Sequence, residues 1–256
     1  MTTSHPEPRA FVAGATGYVG LSLVPLLAQR GVQTRAHVRP DSPRGEEHVA
    51  HFKSAGAEVS RAAWEPAALL ADLESAAPTH IFCLVGTTWA RARREGASYE
   101  SVDLALTEML IDASMQLASP PRFVYVSSIG TSARRATPYH RVRWQCEEAV
   151  RKSGLPYTIA RPSLITGPGR EESRSHERLL AALVGPPLAA LRFVSGGTMG
   201  VRYQPTSGPE LARGLIHAAF NYTTIGRVVE GSELRDVSTN DQAFDEPISR
   251  RDASRW

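Results

Sequence analysis

A chain of 256 residues with 42% apolar side chains is long enough to close one packed α/β domain and too apolar to remain disordered. Its formal charge of +3 is slight, and with Lys53 and Lys152 the only lysines the cationic character is almost wholly arginine, a balance that calls for no nucleic-acid partner. Cys83 and Cys146 lack the spacing of a disulfide framework or a metal site, Met1 to Pro8 lacks the apolar core of a signal peptide, and no apolar run is long enough to span a membrane. The expectation is a cytoplasmic protein with no metal and no membrane attachment.

The first predicted strand, Ala10 to Ala13, runs straight into Gly14-Ala15-Thr16-Gly17-Tyr18-Val19-Gly20 and then a helical pattern from Leu21 to Arg30, stopped by Gly31. Three glycines at this spacing between a strand and a helix have separate mechanical tasks. The first permits a tight turn, the second lets the backbone approach a pyrophosphate, and the third lets helix and strand pack closely, while unpaired helix N–H groups face the anion. Gly14, Thr16, Gly17, Tyr18, Val19 and Gly20 are therefore candidate cofactor ligands. The second strand, Thr34 to Val38, is expected to end at Arg39, where an arginine favours a 2′-phosphate and an acidic residue a free ribose hydroxyl. Arg39 points to NADP(H), with NAD left open by the nearby Asp41.

Glu58 to Ser60 is a weak third strand, and Ile81 to Val85 a fourth whose end, Gly86-Thr87-Thr88, falls where such sheets bind ligands. Gly86 and Thr87 are assigned to the ribose and nicotinamide side of the cofactor. The basic loop Trp89 to Arg94 is read as solvated. A helix from Val102 to Leu117, a strand Phe123 to Val126 ending in Ser127-Ser128, a helix from Tyr139 to Ser153 and a strand Tyr157 to Ala160 continue the alternation. Tyr139 and Arg143 lie four residues apart and share a helix face, so a phenol able to move a proton sits near a cation, with a serine hydroxyl available to orient the same substrate oxygen. His140 points about a quarter-turn away and receives no role. Beyond Pro162 the alternation fades into helices near Glu177 to Leu183 and Pro209 to Phe220 and a strand Arg227 to Glu230.

The glycine turn, Tyr125-Val126-Ser127-Ser128, Tyr139-x-x-x-Arg143 and Ile159-Ala160-Arg161-Pro162 stand in the order found in the short-chain dehydrogenase/reductase superfamily, and the chain resembles its extended or atypical branch. Gly86-Thr87-Thr88, Arg161-Pro162 and Arg170-Glu171-Glu172-Ser173-Arg174 look more narrowly like the NmrA-like and Tat-interacting-protein-like relatives. The βα alternation itself gives a doubly wound parallel Rossmann sheet over residues 9–165, and the residues beyond give a small substrate-side lobe over 166–235 completing the same domain and a polar tail over 236–256. The resemblance implies Ser128, with Ser127 as a near alternative, for the hydroxyl that positions a carbonyl, and Tyr139 for the acid/base residue.

Arg143 takes the position of the family's lysine and is expected to join Ser128 and Tyr139 in the active site by gripping the nicotinamide ribose, although guanidinium differs from ammonium in reach and in staying charged. Near Ala63-Trp64, where relatives carry an aspartate, Trp64 is expected in the core rather than on the adenine. The leading expectation is an NADP-dependent oxidoreductase of a small carbonyl or alcohol substrate. The rivals are a non-enzymatic NADP(H) sensor acting on a protein partner, and an epimerase or dehydratase. The helices Val102 to Leu117 and Tyr139 to Ser153 are candidates for a homodimer interface.

Overall fold

The computed structural model describes residues 7–87, 96–134, 137–167 and 205–236. Strand β1 (Arg9–Ala13) leads through the glycine turn into α1 (Gly20–Gln29), β2 (Gln33–His37) into α2 (Gly45–Ser54), and β3 (Glu58–Ser60) into α3 (Pro66–Ala76). After β4 (His80–Cys83), a π-helical turn (Glu100–Leu104) runs directly into α4 (Ala105–Met115), followed by β5 (Arg122–Val126), α5 (Pro138–Lys152) and β6 (Tyr157–Arg161). Short strands β7 (Ile165–Thr166) and β8 (Thr206–Ser207) pair with each other before α6 (Gly208–Phe220), a 3₁₀ turn, β9 (Arg227–Glu230) and α7 (Gly231–Asp236).

Seven strands form one sheet in the order β3-β2-β1-β4-β5-β6-β9, with every neighbouring pair parallel. The connection reverses direction between β1 and β4, which opens a crevice at the carboxyl ends of those two strands. Successive residues of each strand feed opposite layers, as a pleated strand covered on both faces must. Ala10 and Val12 of β1, Phe82 of β4 and Val124 of β5 pack with α1 and α6, whereas Phe11, Ile81, Cys83, Phe123 and Tyr125 pack with α3, α4 and α5. β9 extends the sheet beside β6, so the last described segment closes the principal core.

The expected doubly wound α/β fold is the fold of the protein. Three helices were not anticipated, α2, α3 and the short α7. α2 buries only Gly45, His48 and Phe52 of its ten residues, too little apolar surface to register as a stripe in a polar segment with two glutamates and two histidines. α3 buries Leu69 and Leu73, begins with Pro66 in its first turn and ends at Ala77 in the left-handed region (φ 40°). The second strand also stops at His37, before Arg39, because its partner β1 ends at Ala13 and turns away at Gly14. The expected helix at Glu177 to Leu183, the basic loop Trp89 to Arg94, the patch Arg170 to Arg174 and the tail beyond Asp236 lie outside the described residues.

Candidate functional site

The glycine turn sits at the crevice. Gly14 has φ 78°, and a Cβ there would stand 2.8 Å from the backbone carbon and oxygen of Leu84 as the chain leaves β4. Any side chain would push the two neighbouring strand exits apart, so the first glycine is required twice, by conformation and by space. The turn closes through the Gly17 N–H donating to the Gly14 carbonyl at 3.0 Å, and Gly20 packs so closely that a Cβ would overlap the Ala15 carbonyl. Helix α1 opens at Val19 without a side-chain cap and without an acidic residue in its first turn. Such an end has N–H groups and a partial positive charge to offer an anion, which fits the diphosphate of a dinucleotide. Thr16 and Tyr18 are partly buried and Gly17 is exposed. Tyr18 reaches away from the turn, donating to the Thr166 carbonyl at 3.2 Å and lying against Gly167 and Gly208, so it ties the turn to the later half of the chain.

Beyond β2, Arg39 is one-third exposed and pairs at 3.5 Å with the exposed Asp41, a contact worth little in water. A cavity of about 370 Å³ lined by Ser42, Arg44, Gly45, Glu46 and Arg61 adjoins this segment. Another, of about 340 Å³, lies at the opposite edge among Arg9, Gln33, Arg35 and Glu58, away from the crevice. His37 is buried, its Nε2 2.9 Å from the Ala62 carbonyl, and burial pushes its imidazole below the usual range. Trp64 meets the His37 ring edge-on at 5.0 Å and packs on the core cluster, as expected of a packing residue.

The two candidate serines part company at the end of β5. Ser127 is buried and donates to Glu147 Oε1 at 2.6 Å. Ser128 is partly exposed, and its hydroxyl has no hydrogen-bond partner among the described residues. Glu147 was not anticipated. Its fully buried carboxylate also accepts from Arg161 Nε at 2.8 Å, Arg161 Nη2 at 2.6 Å and Arg151 Nη2 at 2.8 Å. Burial alone would raise its pKa, but the hydrogen bonds from Arg161 and Ser127 hold the carboxyl below the usual range. The motif Arg161-Pro162 thus contributes an arginine that braces the Ser127-Ser128 turn.

Tyr139 lies in the first turn of α5, which is capped by Thr137. Its ring meets that of Tyr99 edge-on at 5.4 Å, and the Arg143 guanidinium lies 5.4 Å from its centroid. The phenol oxygen has no hydrogen-bond partner among the described residues. Arg143 points inward, its side chain 9% exposed: Nη1 donates to the Tyr125 hydroxyl and the Val126 carbonyl, both at 3.0 Å, and to the Val85 carbonyl at 3.3 Å. Nη2 stands 3.0 Å from Oδ1 of the fully buried Asp103, off the axis of a hydrogen bond, so this is a charge contact. Asp103 Oδ2 accepts the Thr87 N–H at 2.8 Å, and a Cβ at Gly86 would overlap Arg143 Nη2. Burial pushes the Asp103 carboxyl up, against the pull of Arg143 and the Thr87 N–H. Thr88 lies outside the described residues.

A glycine turn at the switch point, an uncapped helix start aimed at it, and a serine and a tyrosine beyond the next strands define a dinucleotide-binding Rossmann protein. The chain belongs to the NAD(P)H-binding family, whose model matches residues 14–179. It is 30% identical over 201 residues to Protein TIC 62, chloroplastic, of Pisum sativum, covering 70% of this chain and 37% of that protein, so it spans little more than a third of that relative. It is 26% identical over 215 residues to Protein FMP52-1, mitochondrial, of Scheffersomyces stipitis, covering 82% and 87%. UDP-glucuronic acid 4-epimerase from Bacillus cereus, solved with NAD, shares the fold at a TM-score of 0.63 and 15% identity, covering 86% of this chain and 76% of that one.

The resemblance to the atypical short-chain dehydrogenase/reductases is borne out, and with it the binding of a nicotinamide cofactor. Among the described residues no helix is long and apolar enough to cross a membrane, and no cluster of His, Cys, Asp and Glu could hold a metal.

Proposed function

We propose that this protein is an NADP(H)-dependent oxidoreductase acting on a small carbonyl or alcohol substrate. The observation that carries the reading is that Ser128 and Tyr139, beyond β5 and at the start of α5, keep hydroxyl groups uncommitted to the described residues, whereas the Ser127 hydroxyl is bonded to Glu147 and the Tyr125 hydroxyl to Arg143. The nicotinamide, when bound, supplies hydride chemistry. Gly14, Gly17 and the start of α1 hold its diphosphate, Thr16, Tyr18 and Val19 shape that turn, and Gly86 and Thr87 border the ribose. Ser128 orients the substrate oxygen, and Tyr139 moves a proton at that atom. Arg39, just beyond the end of β2, favours a 2′-phosphate over a free hydroxyl.

The test is cofactor-dependent turnover across a panel of carbonyls and alcohols, followed by Tyr139→Phe. General acid/base chemistry of this kind contributes about 100-fold or more, so the variant is expected to lose about that much kcat while binding NADPH within about twofold of wild type. A fully active variant removes Tyr139 from the chemistry.

A second reading has its own support. Arg143 stands in the lysine position yet has its guanidinium committed to Asp103, Tyr125, Val126 and Val85, which favours a protein that binds NADP(H) and reports occupancy to a protein partner. Tight binding with no turnover on any panel member, nucleotide sugars included, selects that reading over both the oxidoreductase and an epimerase or dehydratase.

A further inference from the structure

We infer that Asp103 and Arg143 form a buried positioning pair that sets the shape of the Leu84–Thr87 segment, the wall against which the nicotinamide half of the cofactor rests; the inference builds on the cofactor reading above. Three elements meet at the pair. Asp103 comes from the π-helical turn Glu100–Leu104, and its own carbonyl accepts from the Thr107 hydroxyl at 2.6 Å and the Cys146 thiol at 3.5 Å. Inserted π turns of this kind occur frequently at functional sites. Arg143 comes from α5, one turn after Tyr139. The third element is the β4 exit, held by the Thr87 N–H on Asp103 and by the Val85 carbonyl on Arg143.

The arrangement serves the loop beyond holding the core. Gly86 is exposed on one side, while the guanidinium fills the space a Cβ would take on the other, so the loop lies between the ion pair and the crevice. The same guanidinium ties the exits of β4 and β5 through Val85 and Val126 and lies near the Tyr139 ring. A buried ion pair contributes less to stability than apolar packing of equal volume, so what it contributes is a defined geometry. Here that geometry is the spacing between the cofactor wall and Tyr139. Neither group reaches out to a ligand, so both are positioning residues.

The experiment titrates wild type, Asp103→Asn and Gly86→Ala calorimetrically with NADPH and separately with ADP, which presents the adenosine and diphosphate without the nicotinamide half. Asp103→Asn removes the charge that holds Arg143, and Gly86→Ala displaces the guanidinium without altering either charge. Each is expected to weaken NADPH about tenfold, the size of coupling within one shared network, and to leave ADP within about twofold. Retained ADP binding also reports that the domain is folded. If one variant does not fold, the other decides. Unchanged NADPH affinity in the folded variants, or equal weakening of NADPH and ADP, overturns the positioning role and leaves cofactor binding standing. Wild type that binds neither nucleotide overturns the cofactor reading and this inference with it.

Discussion

His80, the first residue of β4, is 2% exposed, with Nδ1 2.9 Å from the Thr79 hydroxyl and its ring 4.2 Å from that of Phe220. Burial, reinforced by the Arg122 charge, pushes its imidazole down to about 3 from an ordinary 6.5. Between those values the unfolded chain carries one proton more than the folded one, so the stabilisation is complete above the unfolded pKa and is lost as pH falls towards the folded one. The slope is about 1.4 kcal/mol per pH unit for one proton, and lowering the pH from about 7 to about 5 costs roughly 2 kcal/mol from this residue. His80→Phe removes the titrating group. His37, His48 and His217 are shifted in the same direction and remain in both proteins, so they cancel in the comparison. Urea unfolding at the two pH values is the assay, and wild type is expected to lose roughly 2 kcal/mol more than the variant. Equal losses in both proteins would refute the reasoning, since His80 would then titrate as it does in the unfolded chain.

Gly14→Ala combines a left-handed backbone with an overlap on Leu84, whereas Gly31→Ala has nearly the same φ of 76° and nothing within 4 Å. Both substitutions are expected to cost about 1–2 kcal/mol of unfolding free energy for the backbone, and only Gly14→Ala should also weaken nucleotide binding, by about tenfold or more given the displaced cradle; calorimetry and denaturant titration separate the two. Ser127→Ala strips a hydrogen bond from the buried Glu147 and is expected to destabilise the fold by about 1–3 kcal/mol, while Ser128→Ala leaves the melting temperature unchanged and lowers kcat. The opposite assignment of the two effects would return the substrate-orienting role to Ser127. Arg39→Ala is expected to weaken NADPH by about tenfold, the scale of one charge-assisted contact, with NADH affinity unchanged; equal loss for both nucleotides would take Arg39 off the 2′-phosphate.

The sheet, its parallel sense and the place of the glycine turn were all legible in the order of residues, because each depends on local signals: short apolar strand runs alternating with helical patterns, Gly31 and Gly154 ending helices, and Gly14-x-x-Gly17-x-x-Gly20 between a strand and a helix. The same holds for Ser128 and Tyr139 as candidates, since residue type and helical spacing carry them. Three-dimensional packing separated Ser127 from Ser128, for the group that commits Ser127 is a carboxylate twenty residues further on, bonded in turn to an arginine of β6. It also turned Arg143 inward. A cation one helical turn after a tyrosine looks like a ligand hand, and whether it extends into the crevice or folds back depends on Asp103, Tyr125 and two strand-end carbonyls that no local pattern connects to it. A chain can announce which groups it owns through spacing and propensity, but a buried charge takes its partner from whichever element the fold brings within hydrogen-bond reach, because leaving it unpaired in a low-dielectric interior costs too much.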